Sequence, residues 1–212
     1  MNTTAARAIA PSTVVNRVLW FVTLAVGVYF VARNVPRYLI FSPESYGPYY
    51  WPKANFLLPH VIAALTAITI GPFQFWTRIR SKYPKVHRVS GRVYLAAILV
   101  GSIGAFGMAS STIRGLAYAS GLSFLAIAWL TTAGMAFASI RKRNFNQHKQ
   151  WMIRSYVVTF AFVSFRIGSD IMAHYDIADP AQRRAMLAWA CWAVPLLFTE
   201  VVLQGKQIFS DK

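Results

Sequence analysis

The sequence predicts an all-α integral membrane protein, a polytopic helical bundle with six transmembrane helices. Of its 212 residues, 56% are hydrophobic and only 13% are charged, whereas soluble domains carry about 25% charged residues. The apolar residues fall into blocks long enough to cross a hydrocarbon layer of roughly 30 Å as helices. This pattern excludes a soluble fold built from short alternating strands.

The six apolar blocks are separated by short loops, apart from one longer connection at 36–56, so residues 1–212 are predicted to form a single bundle domain. The first block follows Arg17 without a small-residue cleavage site, which favours an uncleaved anchor. The predicted spans are 17–33, 57–77, 92–112, 116–140, 151–174 and 185–204.

The net charge of +16 reflects orientation in a membrane rather than binding to nucleic acid. Lysine and arginine accumulate in cytoplasmic loops, and most of the 22 here fall on one side of the predicted bundle. That side includes Arg7 near the start and Lys212 at the end, so both termini are predicted to be cytoplasmic. The same residues predict contact with anionic lipids at the cytoplasmic face.

Three features of the apolar segments concern packing. The tyrosines, tryptophan and phenylalanines of the 36–56 loop form either an interfacial aromatic belt, which we favour, or a lid over a site. Gly71 and Pro72 are expected to bend the second span, either as a packing kink or by freeing a carbonyl for a ligand. Small residues at Gly101, Gly104, Gly107, Gly134 and Ala138 indicate faces where helices touch.

Ionisable residues inside a predicted span are the first candidates for function, because the bilayer makes them costly unless they are paired or hydrated. Arg166, Asp170 and His174 are spaced four residues apart and form one stripe on the fifth span, which Ser155 and Thr159 continue inward. Arg166 and Asp170 can form an ion pair along the helix, either structural or functional. Glu200 lies nearer the cytoplasmic edge and is expected to face the groups there.

The four histidines sort into an outer group, His60 and His174, and an inner group, His87 and His148. Paired imidazoles among helices are typical of b-type haem, whose propionates would bind nearby arginines such as Arg88, Arg92 and Arg154. The hypothesis is therefore that these four histidines ligate haem iron. The single Cys191 excludes an internal disulfide and a cysteine cluster for zinc or iron–sulfur.

The order of these motifs resembles a bacterial membrane-protein family known as domain of unknown function 2306. The resemblance covers about residues 57–204 and includes GPFQF at 71–75, HRVSGRVY at 87–94 and HKQWMIRS at 148–155. It implies a multi-span bundle in a bacterial cytoplasmic membrane and brings no established activity. Asp170 and His174 lie outside the pattern, whose matching positions are His60, His87, Arg88, Gly91, Arg92, Tyr94, His148, Trp151, Arg154, Arg166 and Glu200.

Three functions are compatible with the sequence. The leading hypothesis is a haem-binding transmembrane electron-transfer protein, resembling b-type cytochrome oxidoreductases and served by a quinol or another redox partner. The second is a transporter of a small solute, an ion or protons, in which Arg166, Asp170, His60 and Glu200 line a polar path. The third is a non-catalytic assembly protein. A hydrolase is not indicated, because no serine or cysteine lies in a nucleophile motif.

Overall fold

The computed structural model describes residues 11–210, which are helical almost throughout and contain no strand. The helices follow the predicted apolar blocks, with short helices added in the longer connections. Their bounds are α1 (Pro11–Asn34), α2 (Pro36–Leu39), α3 (Pro43–Tyr50), α4 (Ala54–Phe75), α5 (Thr77–Lys82), α6 (Pro84–Ser110), α7 (Leu116–Arg141), α8 (Phe145–Thr159), α9 (Ala161–His174) and α10 (Pro180–Ser210), with a 3-10 turn at Trp51–Lys53.

Within the described residues, four segments are long and apolar enough to span a membrane, and the bent pair α8–α9 provides a fifth if it forms one span. The apolar part of α1 is shorter, at Trp20–Asn34. Six spans and cytoplasmic termini therefore stay predictions, and Arg7 and Lys212 lie outside the described residues. The four segments are Pro43–Phe75, Pro84–Ser110, Leu116–Arg141 and Pro180–Phe209.

The two ends of the bundle differ in charge. Helices α4, α7 and α10 finish at one end, where α6 and α8 begin, and we call this the basic end. Its exposed cations include Arg80, Lys82, Arg88, Arg92 and Arg141. Along the middle of the helices, apolar side chains such as Leu99, Ile103 and Val201 are exposed, as expected for surfaces that face lipid.

The predicted fifth span is bent by 40° at Phe160, between α8 and α9. The hydroxyl of Thr159, the last residue of α8, donates to the carbonyl of Ser155 at 2.8 Å. Such a bond from a threonine to the preceding turn weakens and bends a helix. The bend interrupts the predicted stripe of polar residues, so its two halves lie in different surroundings.

Glycines on one face of α6 allow close contact with neighbouring helices. A Cβ at Gly101 would lie 2.9 Å from the ring of Trp129, and one at Gly104 would lie 2.6 Å from the carbonyl oxygen of Phe56. The predicted packing role of this face is therefore confirmed. The same prediction for Gly134 is wrong, because a Cβ there meets no atom within 4 Å.

The Gly71–Pro72 pair lies inside α4, which continues to Phe75. Pro72 has no N–H to donate to the carbonyl of Ile68, one turn earlier. The hydroxyl of Tyr156 donates to that carbonyl instead, at 3.2 Å. The Tyr156 ring occupies the space where a Cβ of Gly71 would lie. The freed carbonyl is thus used in packing between α4 and α8.

The aromatic segment before α4 packs against itself and the bundle. Tyr38 and Tyr46 are buried with their rings edge to face, 5.7 Å apart. The hydroxyl of Tyr46 donates to the carbonyl of Tyr38 at 2.7 Å, and that of Tyr49 is hydrogen-bonded to Thr112 at 2.6 Å. This arrangement favours the lid interpretation over the interfacial belt, because the segment covers the end of the bundle opposite the basic end.

Asp179 caps the start of α10, and this cap makes the stability of the fold depend on pH. Its carboxylate accepts hydrogen bonds from the backbone N–H groups of Ala181 and Gln182 at 2.8 and 3.1 Å. These bonds lower the pKa of Asp179, so the cap stabilises the fold above the unfolded-state pKa and is lost as pH falls through the folded-state value. We expect Asp179→Ala to melt slightly below the parent at pH 7 in nonionic detergent, and the difference to vanish in acid. A constant difference across that range would contradict this account.

Candidate functional site

A partly open cavity of about 190 Å³ lies in the half of the bundle opposite the basic end. It is bounded by the end of α1, the aromatic segment, α4, α6, α7 and the bend between α8 and α9. Most of its lining is apolar. The polar groups that line it are Asn34, Tyr38, Tyr49, Tyr50, Lys53, His60, Tyr118, Trp129, Thr159 and Arg166.

His60 is buried in the wall of this cavity. Its Nδ1 lies 2.6 Å from the carbonyl oxygen of Gly101, and because a carbonyl only accepts, Nδ1 carries the hydrogen. The rings of Trp129 and Phe162 stand edge-on to the imidazole, at 6.4 and 6.0 Å. In its neutral form this fixed imidazole offers Nε2 as an acceptor or a ligand.

A buried cluster of hydrogen-bonding side chains lies beside His60, at the bend. The hydroxyl of Tyr94 is bonded to those of Ser155 and Thr159, each at 3.0 Å. The indole N–H of Trp129 donates to Thr159 at 2.9 Å. We call the three hydroxyl side chains, Tyr94, Ser155 and Thr159, together with the Trp129 indole, the hydroxyl cluster. It ties α6 and α7 to the bend and positions two of the cavity's polar groups.

Two cations line the cavity without a carboxylate beside them. Lys53 is buried, with its Nζ 4.1 Å from the centre of the Tyr49 ring, and Arg166 is half-buried. No aspartate or glutamate contributes to the lining. The ion pair that the structure shows within residues 11–210 is remote from both, between Arg154 and Glu200. The cavity is therefore positively charged.

The Arg154–Glu200 pair links α8 to α10 nearer the basic end. Nε and Nη2 of Arg154 both donate to the carboxylate of Glu200, the second at 2.9 Å. The Arg154 guanidinium also stacks on the ring of Trp151, at 4.6 Å. The partner of Glu200 is thus Arg154, and the expectation that Glu200 faces the inner histidines stays a prediction. Arg154 is thereby held inside the bundle, and its Nη1 is buried without a protein partner.

The inner histidines are brought together, and the outer ones are not. His87 and His148 are close enough to interact electrostatically, and His148 Nδ1 lies 2.8 Å from the carbonyl oxygen of Ala136. His174 is exposed beside Tyr175 and does not line the cavity that His60 lines. Residues 11–210 contain no group of three or more histidine, cysteine or acidic side chains that could hold a metal.

The spacing within the two basic motifs explains why the inner histidines lie near each other. His87 precedes Tyr94 by two helical turns, and His148 precedes Ser155 by the same distance. Because α6 and α8 both begin at the basic end, the Tyr94–Ser155 hydrogen bond aligns the two histidines below it. HRVSGRVY and HKQWMIRS are therefore linked by a side-chain hydrogen bond, although α6 packs mainly on α4 and α7, and α8 packs mainly on α7.

Other predicted site residues lie apart. The ion pair expected between Arg166 and Asp170 does not form. Both residues lie on α9, but Arg166 lines the cavity, whereas Asp170 is exposed and interacts electrostatically with Arg33. Arg88 and Arg92 are exposed on the surface of α6, so they are not brought together with Arg154 around a common group.

Lys53 is a cavity residue that the sequence did not predict, although an isolated lysine inside a segment rich in tyrosine is a signal for a specific role. Tyr49 and Tyr50 belong to the segment predicted as a belt or a lid, and they line the cavity. Tyr118 on α7 also lines it and was not predicted.

Comparison with known proteins yields one family. The family described as "Predicted membrane protein (DUF2306)" matches residues 57–203, which hold His60, the hydroxyl cluster, Arg166 and the Arg154–Glu200 pair. No curated protein and no solved structure matches the chain. The matched region begins after Lys53, so the cavity combines the shared bundle with the segment that precedes it.

Proposed function

The chain belongs to the DUF2306 family of predicted membrane proteins, and we propose that it binds a small ligand with one negatively charged group and an apolar body. The protein is an integral membrane protein, and the ligand would occupy the cavity opposite the basic end. We further propose that the basic end faces the cytoplasm of a bacterial cell, as the distribution of lysine and arginine favours.

The observation that carries this proposal is the pair of cations in the cavity, Lys53 and Arg166, with no carboxylate in the lining. Burying a positive charge without a partner costs several kcal/mol. A bound carboxylate, phenolate or similar anion would supply the missing negative charge for both side chains. Arginine suits this role because its planar guanidinium binds a carboxylate through two parallel hydrogen bonds.

The rest of the lining indicates the size and character of the ligand. The cavity volume of about 190 Å³ lies below the range of roughly 300–1,000 Å³ that holds drug-sized molecules. Its walls include Leu57, Leu122 and Leu125, which favour an apolar body. His60 Nε2 is placed to accept a hydrogen bond from a hydroxyl on the same ligand.

Thermal melting of the protein purified in nonionic detergent tests the proposal. We expect octanoate to raise the melting midpoint by about 5–10 °C near saturation, because a ligand at 100 times its Kd stabilises by about 2.7 kcal/mol. Octanol and octylamine, which have similar apolar bodies, are expected to stabilise far less. Arg166→Gln and Lys53→Gln should each lose at least half of the octanoate shift.

Arg88→Gln is the matched control, because Arg88 is exposed and does not line the cavity. It should retain the full octanoate shift. Equal stabilisation by octanol and octanoate, or an undiminished shift in both cavity variants, would rule out recognition of an anion at this site.

Haem-dependent electron transfer is the second candidate, and one observation favours it. His60 and His148 each hold Nδ1 against a backbone carbonyl, as metal-ligating histidines do, and leave Nε2 for a ligand. Against it, the cavity contains one histidine, and its 190 Å³ is small for a porphyrin. A Soret band in protein purified from haem-replete cells, lost in His60→Ala or His148→Ala, would favour haem over the anion; a spectrum without that band would remove this candidate.

Transport would extend the anion-binding proposal rather than replace it. Two members of the predicted polar path, His60 and Arg166, share the cavity. Glu200 is paired with Arg154, and Asp170 is exposed. Binding in the cavity would then be the loading step of a carrier, whereas residues 11–210 show no continuous line of ionisable groups that would support a channel.

A further inference from the structure

A second, more open space lies on the lipid-facing side of the bundle, between α1 and the α4–α8 pair. This groove has a volume of about 1190 Å³. Its walls are mostly apolar and include Leu24, Val28, Phe73, Tyr156 and Phe160. In a bilayer, such a groove between helices is filled by lipid rather than by water.

Helix α1 approaches the bundle closely at two points that frame the groove. A Cβ at Gly27 would lie 3.2 Å from the ring of Phe160. Towards the basic end, the ring of Trp20 lies 5.4 Å from that of Phe75 and 6.2 Å from that of Tyr156. The groove is thus a defined space with aromatic walls.

Charge is confined to the basic end of the groove. Arg78 lines it there, on the short helix α5. No acidic residue contributes to the lining. Arg80 and Lys82 on the same helix are also exposed, so the groove opens towards a group of cations.

We infer that the groove holds an acyl chain of an anionic phospholipid, whose phosphate is bound by Arg78. The apolar walls match the chain, and the cation at the open end matches the headgroup. Basic residues near a membrane surface each favour anionic lipid by about 1 kcal/mol. The partner is therefore a lipid of the leaflet at the basic end, distinct from the ligand proposed for the cavity.

Native mass spectrometry in nonionic detergent, with phosphatidylglycerol or phosphatidylcholine as the added lipid, tests this inference. We expect the parent protein to retain phosphatidylglycerol preferentially. Arg78→Gln should reduce that preference by about five-fold, the effect of one basic residue at a membrane surface. Leu24→Trp, which fills the groove at a half-exposed position, should reduce retention of both lipids.

Arg141→Gln is the control, since Arg141 is an exposed cation at the same end of the bundle that lies outside the groove. It should bind both lipids as the parent does. Equal losses in Arg78→Gln and Arg141→Gln would show diffuse attraction to the basic end, and unchanged retention in Leu24→Trp would show that the chain lies elsewhere; either result overturns the inference. Neither Arg78 nor Leu24 lines the cavity, so the octanoate result is independent of this one.

Discussion

Replacing Glu200 with glutamine is expected to lower the melting midpoint of the detergent-purified protein by about 5–10 °C. The substitution removes the negative charge that Arg154 meets inside the bundle, where the Arg154 side chain is only 6% exposed. Breaking a fully buried pair costs about 3–5 kcal/mol. Because the Glu200 side chain is 38% exposed, we expect a smaller cost, about 2–3 kcal/mol.

Two further variants identify the cause. Asp176→Asn removes an exposed carboxylate after α9 that forms no ion pair, and it should leave the midpoint unchanged. The double variant Arg154→Met/Glu200→Leu should lose less than the sum of its single changes, since neither charge is left alone. Additive losses, or a midpoint of Glu200→Gln equal to that of the parent, would show that the pair is not a structural element.

Gly104→Ala is expected to destabilise the protein by about 1–3 kcal/mol, the usual cost of overpacking a filled interface. The added methyl group would lie 2.6 Å from the carbonyl oxygen of Phe56 and 2.9 Å from the Cβ of His60. These atoms belong to or adjoin the backbone of α4, so they move only if α4 moves. Displacement of His60 should also weaken the octanoate shift.

The control for this change is available in the same bundle. Gly134 lies within α7, where a Cβ meets nothing within 4 Å. Gly134→Ala should be neutral or slightly stabilising, because alanine favours a helix over glycine by about 1 kcal/mol. If both substitutions lowered the midpoint equally, helix flexibility rather than the contact with α4 would be the explanation.

The helices could be predicted because the bilayer requires long apolar blocks whose length is visible in the sequence. The ends of the helices were predicted less accurately. Helix α6 begins at Pro84, so His87 and Arg88 lie on the helix rather than before it. The bend at Phe160 was not predicted, because neither proline nor glycine marks it. It depends on a hydrogen bond within α8 and on contacts from Tyr94 and Trp129.

The candidate site was predicted only in part, because membership of a cavity depends on how helices rotate against each other. Arg166, His60 and Thr159 were identified from their cost in a membrane and from their spacing. Asp170 and His174 lie on the same helix as Arg166 but are exposed. Lys53 comes to the cavity through the aromatic segment, whose folding back over the bundle no periodic pattern could indicate.

The cavity and the lipid-facing groove are separated by a thin wall, because Val31 and Ile68 line both of them. For a molecule already dissolved among the acyl chains, a lateral route inward would lead past the aromatic walls of the groove and then past these two aliphatic side chains, without passing through water. On that route, partitioning into the bilayer would set the ligand concentration available to the cavity. The apparent affinities of different ligands would then follow their oil–water partition coefficients as well as their charge.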